Sequence, residues 1–335
     1  MPRAILAADP AAVSDVLLPD DLALLREAYA VDPTRFVTDW ATVPDAELAE
    51  VEVVVSGWGC PLIDAEVLAR MPRLRAVCHA AGTVRFTVTR EVLERGVVVT
   101  SAAAANALPV AEYTLATILL AAKRTPQAAA RYRQLRTWDP TAPGIGETAT
   151  TGMYTTVIGI ISASLIGRRV LELLRPFDLV PLLYDPFVTP DQAAAMGAEL
   201  VGLDELMHRS TVVSLHTPDL PTTRGMITRE LLESMHPGST FINTARPLIV
   251  DQDALREVLG RGEIYAVLDV TWPEPLPPDD VLWDMPNVVL TPHWAGSAGN
   301  EQQRLGRTAI DEALRIGRGE PPRHLVDLDR WDVTA

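Results

Sequence analysis

The chain has 335 residues, of which 48% are apolar and only 5% aromatic, which predicts two α/β domains built largely from Ala, Val and Leu. Lys and Arg number 29 against 44 Asp and Glu, so the formal net charge is −15. Such a surface repels nucleic acid and anionic membranes, which excludes both as expected partners, and any anionic substrate then needs a local cationic anchor.

Cysteine usage and the N-terminus favour a soluble, cytoplasmic protein. Cys60 and Cys78 allow at most one disulfide, lack metal-ligand spacing and are expected to be small buried thiols, so no metal is predicted. Residues 1–8 are expected to open a strand rather than form a signal peptide. No uncharged apolar stretch approaches the ~18 residues that cross a bilayer.

Strand-like apolar runs alternate with helical patterns along most of the chain, which predicts βαβ units on parallel sheets. In the first third, helices are predicted at 20–30 and 63–69. The strands predicted there are 3–7, 51–56, 74–78 and 97–100. A second series has seven strands, enough for a full doubly wound sheet, at 155–161, 179–184, 199–201, 211–216, 239–243, 264–269 and 287–290.

The segments that join and follow these series predict a discontinuous first domain. A long Ala-rich helix is expected from 108 to 123, with Pro109 in its first turn. Residues 131–150, which include Trp138, are expected to form an arm or crossover. A final helix over 309–316 can return to the first domain, with the second domain inserted between.

A dinucleotide-binding pattern begins the second series. The strand 155–161 runs into Ser162-Ala163-Ser164-Leu165-Ile166-Gly167, followed by a helix at 168–174. Eighteen residues beyond Gly167, Asp185 ends the next strand. Strand, tight turn, helix N-terminus and strand-end acid are the parts that bind a pyrophosphate and ribose hydroxyls. Because no arginine stands beside Asp185, the pattern favours NAD over NADP.

Two glycines of this pattern are replaced, by Ser162 and Ser164. The first glycine permits the tight turn and the second permits close approach of the backbone to the pyrophosphate. Serine is the smallest residue that can donate a hydrogen bond to phosphate, so binding with altered affinity and drift from the ligand both remain open. Taken singly, the serines are also ordinary helix N-caps and Asp185 a turn former. Their joint placement favours the nucleotide site.

Three reactive side chains follow later strands of the series: Arg246, Glu274 and His293. The carboxyl ends of parallel strands meet at the crevice where open α/β sheets bind ligands. A guanidinium, a carboxylate and an imidazole there can hold a carboxylate substrate and move one proton, which is half of a carbonyl reduction. A single Arg, Glu or His at a strand end is more commonly a surface ion pair or cap, so the set carries the prediction.

Together these stretches resemble the D-isomer-specific 2-hydroxyacid dehydrogenases, the family of glycerate, phosphoglycerate and D-lactate dehydrogenases. The similarity runs from about residue 74 to 296. The matching blocks, in family order, are Asn106-Ala107, Val110-Ala111-Glu112, the altered loop, 213–218, 242–246, 268–270, 273–277, 290–293 and 295–296. The resemblance implies an α/β fold of two Rossmann-like or flavodoxin-like doubly wound parallel-sheet domains, with an NAD-binding domain, 106–296, inserted into a substrate-binding domain, 1–105 and 297–335.

The resemblance also implies an NAD(H)-dependent oxidoreductase that interconverts a 2-keto acid and a D-2-hydroxy acid. Arg246 would pair with the substrate carboxylate and polarise the keto oxygen. His293 would exchange the proton, and Glu274 would hold the imidazolium and raise its pKa towards the working pH. Backbone N–H groups of Gly82 and Thr83 would bind the substrate carboxylate.

Further implied positions and partners complete the prediction. Besides the loop residues and Asp185, those expected at the cofactor are His216, Thr217, Pro218, Thr244, Ala245 and Asp269, the last near the nicotinamide. His216 is more commonly a structural histidine, and His79 has either role.

Arg85 is solvated or binds a second anionic group. Trp58, Trp272 and Trp294 are core or lid residues, and a bulky or apolar substrate follows if they frame the cleft. A homodimer through 108–150 is also implied.

Other departures from the family pattern indicate an outlying subgroup. Pro247 stands where a glycine normally follows the catalytic arginine, and its ring confines Arg246 to extended conformations. Val84 and Thr87 replace acids common in the substrate loop, and Trp294 is far larger than the usual aliphatic residue. The lost glycines and Pro247 motivate an alternative, a non-catalytic nucleotide-sensing or scaffold protein on the same fold. The complete set of Arg246, Glu274 and His293 favours the enzyme.

Overall fold

The computed structural model describes residues 1–137 and 151–333, and its chain divides into two compact units. Unit 1 comprises Met1–Ala107 and Ser297–Ala335, and unit 2 comprises Leu108–Gly296. Each unit has one wholly parallel sheet with helices around it, so the predicted α/β fold class is confirmed.

Unit 1 begins with four βα segments. Its strands are β1 Arg3–Ala7, β2 Phe36–Val37, β3 Val51–Ser56, β4 Ala76–His79 and β5 Val98–Ser101, and its first helices are α1 Pro19–Ala28, α2 Asp45–Leu48, α3 Ala65–Arg70 and α4 Arg90–Glu94. The sheet order is β2-β1-β3-β4-β5. Successive residues of β3 point to opposite faces, so that Val53 and Val55 enter one apolar core and Val54 the other. The sequence analysis missed β2, which has only two residues.

The long apolar helix, α5, begins earlier than the sequence predicted. It spans Ala103–Ala122, so Pro109 lies inside the helix and not in its first turn. A run of alanines has high helix propensity, and here it extends the helix on the N-terminal side despite the amide that proline lacks. By length and composition, α5 is able to cross a membrane. A single helix of this kind is weak evidence for a membrane span. Ile118 and Ala122 of this helix are buried in the core of unit 2.

The predicted arm also starts with a helix. Helix α6 spans Thr125–Leu135, so residues 131–135 are helical where an irregular arm was predicted. The rest of that prediction, including Trp138, lies largely at 138–150, outside the described residues.

Unit 2 has the seven strands expected from the sequence. They are β6 Thr156–Ile161, β7 Leu179–Tyr184, β8 Glu199–Leu200, β9 Val212–Leu215, β10 Thr240–Asn243, β11 Tyr265–Leu268 and β12 Val288–Leu290, and the helices between them are α7 Leu165–Leu174, α8 Pro190–Ala195, α9 Leu203–Arg209, α10 Arg229–Glu233 and α11 Gln252–Gly260. The sheet order is β12-β11-β10-β9-β6-β7-β8. All strands run parallel, so the residues that follow them share one edge of the sheet.

The final helix returns to unit 1, as its apolar spacing predicts. Helix α12 spans Gln302–Gly317 and buries Leu305, Ala309 and Ile310 in the core that it shares with α1. It is longer at its start than the predicted 309–316.

Candidate active site

The loop between β6 and α7 has the shape of a phosphate-binding turn despite its serines. Ser162 has a positive φ of 82°, the left-handed conformation that glycine adopts without strain. Ser164 caps α7, and its hydroxyl accepts a hydrogen bond from the Gly167 amide at 3.3 Å. A Cβ on Gly167 would lie 2.0 Å from the Ser162 carbonyl oxygen, so this position requires glycine. The close packing of helix on turn that the third glycine of a dinucleotide site permits is therefore present here.

Asp185 holds this loop from the end of β7. Its Oδ2 accepts hydrogen bonds from the Ala163 amide at 2.8 Å and the Ser162 hydroxyl at 3.3 Å. Its Oδ1 accepts one from the Phe187 amide at 2.8 Å, so the same carboxylate also forms a turn. The sequence analysis missed Arg168, whose Nε donates to the Ala163 carbonyl at 2.7 Å and brings a cation to the loop. The place of Arg168 in the first turn of α7 could have indicated this role.

The end of β9 carries buried polar groups. The His216 Nε2 lies 3.0 Å from the Ser214 hydroxyl, and burial lowers the pKa of this imidazole to about 3. Among the described residues, its Nδ1 has no hydrogen-bond partner, and the same is true of the Thr217 hydroxyl. A buried, neutral imidazole is poorly suited to act as a proton donor. Pro218 follows, and its carbonyl accepts a hydrogen bond from Thr223.

The turn after β10 is held by a residue that the sequence analysis did not assign. Asn243 accepts a hydrogen bond from the Ala245 amide at 3.0 Å and donates one to the Arg246 carbonyl at 3.1 Å. Arg246 is extended, with φ −143° and ψ 144°, as expected before Pro247. Its Nη1 donates to the Ala245 carbonyl at 2.6 Å, and the Thr244 hydroxyl lies 3.1 Å from that of Thr114. The sequence marks Asn243 only as the last residue of a buried strand, which does not reveal this role.

Asp269 fastens the segment that carries His293. It is 1% exposed. Its Oδ1 accepts from the Thr291 hydroxyl at 2.6 Å and the Trp294 amide at 2.7 Å, and its Oδ2 accepts from the Ala295 amide at 3.0 Å. The His293 amide donates to the Asp269 carbonyl at 2.9 Å. Both carboxylate oxygens therefore hold the backbone around the candidate proton donor, a contact that the sequence analysis did not foresee.

His293 and Glu274 form a direct pair. The His293 Nδ1 lies 2.9 Å from the Glu274 Oε1, and the two side chains are 47% and 39% exposed. His293 has a positive φ of 55°, which is unfavourable for a residue with a Cβ and is imposed by its anchored neighbours. With Nδ1 facing the carboxylate, Nε2 is the nitrogen that remains to exchange a proton with a ligand.

The predicted substrate loop belongs to unit 1. Gly82 and Thr83 are half-buried there, and the Thr83 hydroxyl accepts a hydrogen bond from the Arg85 amide at 3.3 Å. Below the loop, the His79 Nδ1 lies 3.0 Å from the Ser56 hydroxyl. Arg85 donates to the Trp331 carbonyl and stacks on the ring of that residue at 4.6 Å, so it is held by the protein and is not simply solvated.

The three tryptophans that were expected in the core or in a lid are exposed, which argues against the core alternative. Trp58, Trp272 and Trp294 are 38%, 50% and 63% exposed. Trp272 and Trp294 stand two residues before Glu274 and one after His293.

Within residues 1–137 and 151–333, no group of three His, Cys, Asp or Glu side chains is placed to hold a metal ion.

Two buried histidines make acid stability predictable. Burial lowers the pKa of His79 from 6.5 to about 4, although a hydrogen bond with the Thr83 backbone opposes the shift, and it lowers that of His216 to about 3. Between pH 6.5 and about 4 the unfolded chain binds protons that the folded chain does not, so stability is lost as the pH falls. From pH 7 to pH 5 we expect each unit to lose about 2 kcal/mol through its histidine.

Denaturant titrations at the two pH values measure this loss. His216→Gln is expected to flatten the pH dependence of unit 2. An unchanged pH dependence in this variant would rule out His216 as its source.

Comparison with known proteins places the chain in one family. Residues 115–295 match the family model described as "D-isomer specific 2-hydroxyacid dehydrogenase, NAD binding domain". The fold and the strand-end constellation define an NAD-binding protein of the two-domain α/β class. The chain belongs to the D-isomer-specific 2-hydroxyacid dehydrogenase family, and NAD is its cofactor.

Similar proteins include enzymes with different substrates. The chain is 32% identical over 313 residues to a D-3-phosphoglycerate dehydrogenase of Mycobacterium tuberculosis, which covers 93% of this chain and 56% of that protein. It is 33% identical to a glyoxylate reductase of Korarchaeum cryptofilum over 80% of each chain. A D-lactate dehydrogenase of Aquifex aeolicus, solved with NAD and lactic acid, is 26% identical with a TM-score of 0.69, covering 95% of this chain and 96% of its own. The chain spans just over half the length of the phosphoglycerate dehydrogenases that it matches.

Proposed function

We propose that this protein is an NAD(H)-dependent oxidoreductase that interconverts a 2-keto acid and a D-2-hydroxy acid. The observation that carries the proposal is the pair of the His293 Nδ1 and the Glu274 Oε1 at 2.9 Å, held at the carboxyl edge of the sheet. Structural stability gives no reason to anchor a half-exposed imidazole at a positive φ. Proton exchange with a ligand does give a reason for this arrangement.

The residues of the nucleotide loop fit a dinucleotide. Gly167 lets α7 pack closely against the turn at Ser162, the amides at the start of α7 are donors for a pyrophosphate, and Asp185 offers a carboxylate for a ribose hydroxyl. Leu165 and Ile166 lie in the first turn of that helix. The neighbouring strands β9 and β10 are followed by His216 to Pro218 and by Thr244 to Ala245. When bound, NADH supplies the hydride of the reduction.

The protein's own side chains handle charge and the proton. Arg246 binds the substrate carboxylate, because a guanidinium can donate two parallel hydrogen bonds to it. His293 donates its Nε2 proton to the oxygen that becomes the hydroxyl, and it takes that proton back in the oxidative direction. Glu274 keeps the imidazole oriented and stabilises its charged form. Asp269 positions His293 through the backbone of 291–295. The N–H groups of Gly82 and Thr83 remain the proposed carboxylate donors of unit 1.

We also propose that the protein acts as a homodimer. The surface of α5 supports this, because it carries an apolar groove of about 200 Å³, lined in part by Tyr113, Leu120 and Pro126, with Leu120 48% exposed. Sedimentation velocity measures the mass in solution.

Titration of the purified protein with NADH, with NADPH alongside, tests the proposal. We expect saturable binding of NADH and weaker binding of NADPH, since Asp185 would repel a ribose phosphate. Reduction of glyoxylate, hydroxypyruvate and phenylpyruvate then tests turnover; the exposed Trp294 beside His293 motivates the bulky acid. Binding of neither nucleotide would favour the alternative of a non-catalytic protein, which the serines at 162 and 164 motivate.

A further inference from the structure

Ser162 occupies a backbone conformation that does not suit it. With φ at 82°, its Cβ is crowded against its own backbone, a conflict that glycine avoids. The turn itself is well held, because the Ser162 amide donates to the Tyr184 carbonyl at 2.8 Å and a Cβ at Gly167 would collide with the Ser162 carbonyl. A serine here therefore needs a compensating contact.

The hydroxyl of Ser162 supplies that contact. It donates to the Asp185 Oδ2 at 3.3 Å, on the same oxygen that accepts the Ala163 amide. The Phe187 amide holds the other oxygen, so three donors determine the plane of this carboxylate. A carboxylate has about four acceptor positions. One position is thus left for a hydroxyl of a ligand, at a direction set by the protein.

We propose that Ser162 is a positioning residue that orients Asp185 for the ribose next to the adenine of NAD. The Ser162 hydroxyl holds the Asp185 carboxylate in one orientation, so less conformational entropy is lost when the dinucleotide binds than with a flexible glycine loop. This assignment rests on the NAD site and not on the proposed substrate, and it gives the serine a role that the glycine pattern lacks.

Two substitutions separate the hydroxyl from the backbone. Ser162→Ala keeps the Cβ at positive φ and removes only the hydroxyl, whereas Ser162→Gly removes both. We expect both variants to bind NADH about fivefold more weakly, which corresponds to the typical net contribution of one hydrogen bond. We expect the melting temperature of Ser162→Gly to lie above that of Ser162→Ala, because glycine relieves the strain. Ser14→Ala, at an exposed position of unit 1, is the matched control.

Two further measurements exclude a merely structural role. Reduced nicotinamide mononucleotide lacks the adenosine, so its affinity should be the same for the parent and Ser162→Ala. In a double-mutant cycle, Ser162→Ala should have no further effect on NADH binding once Asp185 is Ala. Unchanged or tighter NADH binding by Ser162→Ala, equal weakening for the mononucleotide, or additive effects in the cycle would each overturn the proposal.

Discussion

Replacement of His293 by alanine is expected to lower the rate of keto-acid reduction by about 10²- to 10⁴-fold, the usual contribution of a positioned acid. The reason is that the variant retains Arg246 and the nucleotide loop but has no group to give the proton. Affinity for NADH should stay within a factor of two. Single-turnover absorbance at 340 nm, a general property of NADH, follows the reduction.

Controls for this variant come from the same chain. His236→Ala removes an exposed imidazole that stacks on His208 and should leave the rate unchanged. Glu274→Gln keeps a hydrogen-bond acceptor for the His293 Nδ1 but removes its charge, so an intermediate loss is expected. If His293→Ala reduced keto acids as fast as the parent, His293 would not be the proton donor. Loss of NADH binding in the variant would instead indicate a collapse of the 291–295 segment.

The second large effect is expected at Gly167. Gly167→Ala places a methyl group 2.0 Å from the Ser162 carbonyl oxygen, and a backbone atom cannot move aside as the end of a side chain can. We expect at least a tenfold loss of NADH affinity and a loss of about 1–3 kcal/mol in the free energy of unfolding. Isothermal titration and denaturant titration measure the two quantities.

Gly202→Ala is the matched control. Gly202 precedes α9 at φ −67°, and an added Cβ there meets nothing within 4 Å. This variant should bind NADH as the parent does. If Gly167→Ala also bound NADH normally, the close approach of α7 to β6 would not be a requirement of the site.

The location of the candidate site was predictable because it depends on local patterns. Apolar runs bounded by turn residues predicted all seven strands of the second sheet, and the residue after a parallel strand always lies at the ligand-binding edge. Thus Arg246 and His293 could be assigned to one edge before any distance was known. The pairing of His293 with Glu274 was predicted only through the family resemblance, since a separation of nineteen residues allows many turns.

Bounds that depend on competing propensities were less predictable. The start of α5 was wrong by five residues, because proline usually marks a first turn and here the preceding alanines continue the helix. Helix α6, whose end at 131–135 lies within the predicted arm, was also missed.

By itself, the sequence determined the class of fold, the dinucleotide pattern with its two altered glycines, and the candidates for the reactive side chains. These follow from residue type and from spacing along the chain. Only the tertiary structure decided three contacts. Ser162 keeps the positive φ of a glycine and its hydroxyl donates to Asp185. Asn243 supports Arg246, and Asp269 anchors the backbone of His293. Each of these contacts is directional and joins chain segments whose separation folding alone determines, so no periodicity in the sequence records it.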